Sequence, residues 1–234
     1  MTSVLTIIPT LNAAASLEGC LEALSEGERT RLNEGWVVVD GGSADATLEI
    51  ARRSGCLTVT GTRGRGAQLA LGAEAALRAS PDADWLMFLH ADTRLESGWS
   101  YAVRQFCERY QGYERAGYFR FALDDVSSRA RRLETAVNCR SRALKLPYGD
   151  QGLLISKTLY QALGGYKPWP LFEDVDLVRR IGRSRLKPIS ARAVTSAERF
   201  TREGYLRRST RNFWLLSRYY LGADVATLAR AYQS

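Results

Sequence analysis

Short apolar runs alternate with helical stretches along the first half of this sequence, and this alternation constrains the fold more than any other feature. The runs cover residues 4–8, 36–39, 57–60 and 85–89, and we expect Pro9 to end the first of them. The segments between them, 16–24, 46–53 and 67–79, have helical patterns or compositions. Strands that are apolar on both faces and alternate with helices form a parallel sheet covered on both sides. We therefore predict an α/β fold.

The second half of the sequence is less regular. We predict strands at 117–123, in antiparallel pairing, and at 153–155. Helices are predicted at 99–110, 127–146 and 173–181, and another is expected to end at Gly164 and Gly165. A final helix at 205–221 is amphipathic, aromatic and basic.

Composition argues against several classes of protein. The 234-residue chain has no apolar run of 18 residues, and its first residues lack the basic start of a signal peptide, so neither a membrane span nor a leader is predicted. Four scattered cysteines, none in a Cys-x-x-Cys pair, argue against zinc and disulfide frameworks and favour a reducing cytoplasm. The net charge is +8, and arginines crowd residues 179–218. This pattern favours an anionic partner, such as phosphate, nucleic acid or an acidic membrane surface, with a solvated basic face as the alternative.

Ligands of open parallel sheets bind at the carboxyl ends of the strands, so the residues that follow each run are the first candidates for a site. These candidates are Pro9, Thr10, Asn12, Asp40, Gly41, Ser43, Arg65, Gly66, His90, Ala91 and Asp92. Asp40 could accept hydrogen bonds from a ribose or a base, although a plain turn with a helix cap explains the same residues. Arg65, beside a helix N-terminus, suits a phosphate. A dinucleotide fingerprint is disfavoured because its third glycine would fall at Leu69.

Carboxylates at two further places suggest metal binding and proton transfer. Asp92 could hold a hard divalent cation against a diphosphate, because such cations prefer oxygen ligands. His90 is the only histidine of the chain, and a structural role is its simpler interpretation. Glu173, Asp174 and Asp176 begin a helix, where acids are favourable and can pair with arginines one turn later. That structural interpretation suits Asp176 best.

Taken together, these segments resemble the family 2 glycosyltransferases of the GT-A fold. The resemblance is carried by Ile7-Ile-Pro-Thr-Leu-Asn12, Val37-Val-Val-Asp-Gly-Gly-Ser-Ala-Asp-Ala-Thr47, Phe88-Leu-His-Ala-Asp-Thr93 and Phe172-Glu-Asp-Val-Asp-Leu-Val-Arg179. A narrower similarity is to small bacterial glycosyltransferases found near radical-SAM (selenodomain-associated) and arsenosugar genes. It rests on His90-Ala-Asp-Thr93, Tyr148-Gly-Asp-Gln-Gly152, Gly164-Gly-Tyr166, Trp169-Pro-Leu171 and Arg211-Asn-Phe-Trp-Leu-Leu216.

The resemblance implies a GT-A (Rossmann-like), mostly parallel sheet and an inverting transfer of sugar from a nucleotide-diphosphate sugar, a UDP-sugar being favoured, to an acceptor hydroxyl. It assigns the donor to Pro9, Thr10, Asn12, Asp40, Gly41, Ser43, Arg65, Gly66, Ala91 and Asp92. It assigns Asp174 as the catalytic base with Glu173 beside it, and Asp92 to a divalent metal, Mn²⁺ or Mg²⁺. Sugar and acceptor contacts are expected at His90, Gly149, Asp150, Gln151 and Trp169.

The implied organisation is one domain over residues 1–234. Residues 1–95 form its nucleotide-binding half, residues 96–200 its acceptor and catalytic half, and residues 201–234 a C-terminal amphipathic helical segment. Two positions depart from the family pattern: Ala13 stands where glutamate is common, and His90 replaces the first aspartate of the metal motif. These departures point to a weaker metal requirement or an altered sugar contact.

Two other functions fit parts of the sequence. A sugar-phosphate nucleotidyltransferase has a similar sheet, but residues 9–15 lack its glycine-rich loop. A basic membrane-surface or nucleic-acid-binding protein would use the arginines and aromatic residues of the final helix, which could also hold a lipid-linked acceptor. The simpler expectation is that this helix buries its aromatic residues and solvates its arginines. We expect no nucleic-acid partner and a cytoplasmic location, with peripheral contact at the inner membrane surface as the alternative.

Overall fold

The structure is a computed structural model that describes residues 2–233, apart from the side chains of residues 33, 34 and 233. Within them lies one eight-stranded sheet. Its strands are β1 (Val4–Thr10), β2 (Asn33–Asp40), β3 (Leu57–Thr60), β4 (Trp85–Phe88), β5 (Thr93–Leu95), β6 (Ala116–Leu123), β7 (Leu153–Ser156) and β8 (Leu186–Thr195). The helices are α1 (Ala14–Arg29), α2 (Thr47–Arg53), α3 (Arg65–Ala79), α4 (Trp99–Arg109), α5 (Ser128–Leu144), α6 (Lys157–Ala162), α7 (Glu173–Ile181), α8 (Glu198–Glu203), α9 (Tyr205–Tyr220) and α10 (Val225–Gln233), with a 3-10 turn at Gly149–Gln151.

The strand order is β3-β2-β1-β4-β7-β6-β8-β5. Strands β1 to β4 are parallel to their neighbours within that group. β7 is inserted antiparallel between β4 and β6, β8 runs parallel to β6, and β5 runs antiparallel to β8. β1 to β4, β6 and β8 therefore point one way and β5 and β7 the other, which confirms a mostly parallel sheet flanked by helices. The predicted antiparallel pairing of β6 is confirmed against β7 only.

Apolar side chains cover both faces of the sheet. Val4 and Ile8 of β1 pack with α1 and α4 on one face. Leu5 and Ile7 pack with α3, α6 and α7 on the other face. Because successive strand residues point to opposite faces, each central strand needs apolar residues at nearly every position, and this explains the continuous apolar runs.

The expectation that Pro9 ends the first strand is wrong. β1 continues to Thr10, and Pro9 pairs with Val39 of β2. The carbonyl of Ile7 accepts a hydrogen bond from the β4 side, whereas that of Thr10 accepts one from the β2 side. The missing N–H of Pro9 therefore faces the β4 side, beyond the last residue that β4 pairs with β1. Strands β5 and β8 were not anticipated. β5 has only three residues, and Pro188 of β8 lies beside an irregularity in the pairing with β6.

The C-terminal helices pack on α5 and β6, and α9 contradicts the expectation about its two faces. Tyr205 stacks on Phe200, but Phe213 and Trp214 are exposed while Arg208 is buried. Arg208 can be buried because Glu203 accepts a hydrogen bond from it at 2.7 Å. No helix within residues 2–233 is both long and apolar enough to cross a membrane. The four cysteines are free thiols, and only Cys139 is exposed.

Candidate active site

The loops that follow β1 and β2 are tied to each other by side chains. The N–H of Asn12 donates to Ser43 Oγ at 2.8 Å, and Asn12 Oδ1 accepts from the N–H of Ala44 at 2.8 Å. Asn12 has a φ of +49°, a left-handed conformation that asparagine tolerates better than most residues. The structure therefore brings Asn12 and Ser43 together, as expected for neighbouring strand ends.

Asp40 lies at the centre of this loop pair and is 1% exposed. Its Oδ2 accepts from the N–H groups of Gly42 and Ser43 at 2.9 and 2.8 Å, and its Oδ1 accepts from the hydroxyls of Thr10 and Ser43. Burial raises the pKa of Asp40, but these hydrogen bonds outweigh it and hold the pKa below its ordinary value. All four acceptor positions of the carboxylate are used, so Asp40 fixes the shape of the loop.

Gln68 of α3 supports the same strand ends and was not anticipated. Its Nε2 donates to the carbonyls of Thr10 and Val39, both at 2.7 Å. A side chain at Gly41 would come within 3.1 Å of Gln68, so glycine lets the amide approach. Gln68 is one of several polar residues in an alanine-rich helix, and no sequence pattern distinguishes it as a partner of the strand ends.

The start of α3 meets the segment that precedes α7. A Cβ on Gly66 would lie 2.4 Å from the carbonyl oxygen of Lys167 and 2.7 Å from the nitrogen of Trp169. The glycine is therefore needed for this backbone crossing, and its contact with the donor stays a prediction. The crossing brings Arg65 Nε to 3.7 Å from Glu173 Oε1.

Glu173 is buried at the start of α7, immediately after a strained residue. Phe172 has a φ of +61°, which is unfavourable for an aromatic residue, and its ring packs 5.0 Å from that of Tyr219. Burial raises the pKa of Glu173 above its ordinary value, although the charge of Arg65 opposes the shift. Among the described residues, Glu173 Oε1 has no hydrogen-bond partner.

Asp174, His90 and Gly149 are in contact. The N–H of Gly149 donates to Asp174 Oδ2 at 2.6 Å. A Cβ on Gly149 would lie 2.6 Å from His90 Nε2, so the imidazole packs directly against the glycine. Burial and the positive charge of Arg65 lower the pKa of His90, which is neutral at pH 7. The negative charges of Asp92 and Asp174 oppose that shift, which places both carboxylates near the ring.

Three more buried oxygens surround this group and have no hydrogen-bond partner in residues 2–233: Asp92 Oδ1, Asp150 Oδ1 and the Tyr148 hydroxyl. Burial raises the pKa of Asp150 to about 6, although the charge of Arg140 opposes the shift. The negative charges of Asp174 and Asp92 raise the pKa of Asp150 further, so both carboxylates lie near it. Buried polar atoms are rarely left unpaired, and a cluster of them indicates a place where a ligand binds.

Other expected site residues have structural partners. Gln151 is fully buried, where Ser141 donates to its Oε1 at 2.6 Å and its Nε2 donates to the Phe119 carbonyl at 3.0 Å. Its side-chain amide is thus bonded within the protein interior, and the acceptor contact of Gln151 stays a prediction. Asp176 pairs with Arg180 at 2.7 Å and Lys167 at 2.9 Å, as its structural interpretation required.

The remaining expected residues flank the group. Trp169 lies under α9, its ring 6.5 Å from that of Tyr219, and Ala91 is buried between His90 and Asp92. The sequence did not single out Arg140, whose guanidinium lies 4.0 Å from the centre of the Tyr148 ring. Nor did the sequence indicate that the positive charge of Arg199 lowers the pKa of His90, or that Tyr232 raises the pKa of Arg65.

Comparison with known proteins identifies the family. The profile described as glycosyl transferase family 2 matches residues 6–138, more than half of the chain. The chain belongs to glycosyl transferase family 2. Its GT-A fold and its activity as a glycosyltransferase are thereby established, and the nucleotidyltransferase alternative is set aside. No curated protein matches this glycosyltransferase.

Solved structures share the fold at low sequence identity. Glucosyl-3-phosphoglycerate synthase from Mycobacterium tuberculosis, in complex with Mn²⁺, UDP and glucosyl-3-phosphoglycerate, is 19% identical with a TM-score of 0.55, over 83% of this chain and 70% of that one. S. aureus TarS 1–349 in complex with UDP is 16% identical with a TM-score of 0.60, over 86% of this chain and 62% of that one. The same TarS fragment in complex with UDP-GlcNAc is 15% identical with a TM-score of 0.60, over 83% of this chain and 59% of that one. This glycosyltransferase therefore spans less than two thirds of the TarS fragment.

Proposed function

We propose that this glycosyltransferase moves a sugar from a nucleotide-diphosphate sugar to an acceptor hydroxyl with inversion, using Asp174 as the base. The observation that carries the proposal is the set of buried oxygens without a hydrogen-bond partner among residues 2–233, on Asp92, Tyr148, Asp150 and Glu173, which lies around Asp174 and His90. Unpaired buried oxygens suit a ligand rich in hydroxyl groups, because sugar hydroxyls can donate hydrogen bonds to each of them.

The donor is assigned to the ends of β1, β2 and β4. The structures of similar fold contain UDP or UDP-GlcNAc, which supports a UDP-sugar. Asp40, Thr10 and Ser43 hold the loop that would receive the nucleoside. Arg65 at the start of α3 would face the diphosphate, where its positive charge stabilises the charge that develops on the leaving group.

A divalent cation, Mn²⁺ or Mg²⁺, fits at Asp92. The buried Asp92 Oδ1 is free to coordinate, and the synthase of similar fold holds Mn²⁺. Among residues 2–233, no group of three or more His, Cys, Asp or Glu side chains could hold a metal by itself. The chain would thus supply one carboxylate and the donor phosphates and water the other ligands, as is common for Mg²⁺. A bound cation would neutralise charge on the diphosphate.

A backbone hydrogen bond fixes Asp174 in the position where it would accept the proton of the acceptor. The N–H of Gly149 donates to its Oδ2 at 2.6 Å and so fixes the position of the carboxylate. The acceptor hydroxyl would give its proton to Asp174 while its oxygen bonds to the anomeric carbon from the face opposite the diphosphate. The bond between that carbon and the diphosphate oxygen breaks as the new one forms, and the nucleoside diphosphate leaves with the electron pair. His90, Asp150 and Trp169 are placed to contact the sugar or the acceptor.

We assign the parts of the function to successive segments of the chain. We assign residues 1–95 to the donor, residues 96–200 to the acceptor and catalysis, and residues 201–234 to a C-terminal helical segment of the same domain. Membership of the radical-SAM and arsenosugar subgroup, and a cytoplasmic location, stay predictions from the sequence.

Replacing Asp174 with asparagine tests the base. The amide oxygen of Asp174→Asn can still accept from the N–H of Gly149, and the N–H of Val175, which now donates to Oδ1 at 2.7 Å, is the one backbone donor that loses its acceptor. We expect transfer to fall by about 10²-fold or more at saturating donor, while UDP binding by calorimetry changes little. Asp176→Asn is the matched control because it makes the same change on the same helix, at a carboxylate paired with Lys167 and Arg180. Equal losses in both variants, or full activity of Asp174→Asn, would overturn the assignment.

A further inference from the structure

The side of α9 that faces away from the sheet exposes four large apolar residues. Leu206, Phe213, Trp214 and Leu221 are 79%, 72%, 53% and 87% exposed. Their spacing of seven or eight residues puts them along one side of the helix, with Leu221 at its last turn. We call this surface the outer α9 face. An apolar surface of this extent on a folded domain indicates contact with a partner or a membrane.

The charge around the outer α9 face is positive. α9 contains four arginines and no acidic residue. Arg208 and Arg211 turn inward to Glu203, at 2.7 and 2.8 Å. Arg207 stays exposed, and the guanidinium of Arg218 lies 4.8 Å from the centre of the Trp214 ring. The unneutralised arginines of α9 therefore flank the apolar residues.

The opposite side of α9 is committed to the fold. Leu215 is buried, and the ring of Tyr219 contacts those of Phe172 and Trp169. The helix therefore cannot rotate to bury its outer residues without losing these contacts. Phe172 directly precedes Glu173 and Asp174. One side of α9 therefore packs against the start of α7, and the outer α9 face is on the other side of the same helix.

We propose that the outer α9 face binds an anionic bilayer surface, with α9 lying in the plane of the lipid headgroups. A helix with Trp, Phe and Leu on one side and flanking arginines has the composition of an interfacial helix. Each arginine near an anionic surface adds to the attraction, whereas a second copy of this chain would bring like charge against like charge. The proposal does not depend on the donor, the metal or the base.

Flotation with vesicles tests the proposal without donor or acceptor. We expect the protein to float with vesicles of phosphatidylcholine and phosphatidylglycerol, and to float at least about tenfold less with phosphatidylcholine alone. Phe213→Ser with Trp214→Ser should abolish flotation. Tyr101→Ser with Tyr113→Ser, which changes two exposed aromatic residues elsewhere, should leave it unchanged.

Charge and depth give independent readouts. Arg207→Glu with Arg218→Glu should remove flotation, whereas the same change at the exposed Arg52 and Arg109 should weaken it much less. Trp214 is more exposed than the other four tryptophans, so lipids brominated in the acyl chain should quench its emission, and Trp214→Phe should remove the quenching. Absence of flotation would overturn the proposal. So would a dimer, seen by light scattering, that the Phe213 and Trp214 changes dissociate.

Discussion

Asp150 should lower the stability of the folded protein at neutral pH. Burial raises its pKa from 3.8 to about 6, so the folded state favours the protonated carboxyl. A shift of about two units corresponds to ~3 kcal/mol. Because the folded pKa is raised, the stabilising contribution is complete below the unfolded pKa and is lost as the pH rises through about 6. Asp150→Asn does not titrate and should escape this loss.

Urea denaturation at two pH values measures the effect. The free energy of unfolding of Asp150→Asn, relative to the wild type, should rise by about 2 kcal/mol between about pH 4.5 and about pH 8. A chelator keeps metal out of the comparison. The exposed Asp82→Asn is the matched control and should show no such rise. A difference between variant and wild type that is the same at both pH values, or that falls with pH, would refute the reasoning.

Two further substitutions test the packing of the site. In Gly149→Ala the new methyl group would lie 2.6 Å from His90 Nε2, so we expect transfer to fall about 10²-fold, a larger factor than the change in the folding equilibrium constant. Gly19→Ala, whose methyl group would lie 3.3 Å from the flexible side chain of Arg94, is the control and should change transfer little. Gln68→Leu removes one hydrogen bond from each of two buried carbonyls, which keep the Gly41 N–H and the Thr10 hydroxyl as donors, and should reduce the free energy of unfolding by about 1–2 kcal/mol in urea, whereas Gln105→Leu at the surface should change it little. Unchanged kinetics in the first case, or equal stability in the second, would contradict these contacts.

The meeting of the strand ends could be predicted from the sequence because it depends on local patterns. Apolar runs define the strands, and parallel strands end at the same edge of the sheet, so Thr10, Asp40 and Ser43 had to meet. Gln68 and Gly66 could not be assigned in this way. Their roles depend on which carbonyls and which distant backbone segment lie opposite them, and no periodicity encodes that.

The prediction of which side of α9 is buried was wrong for a related reason. Helical periodicity shows that a helix has two different sides, but it does not say which one the rest of the fold covers. Glu203 and the ring of Tyr232 provide partners that let Arg208 and Arg211 turn inward, and the aromatic side is left outside. Burial of arginine is an unusual outcome that composition alone argues against.

Anomalous diffraction from crystals grown with UDP and Mn²⁺ would locate both the cation and the donor. We expect a manganese peak bonded to Asp92 Oδ1, with the diphosphate beside Arg65 and the nucleoside over the loop that Asp40 holds. The same peak should be absent from Asp92→Ala crystals. A manganese peak away from Asp92, or UDP bound anywhere but at the ends of β1, β2 and β4, would contradict the account.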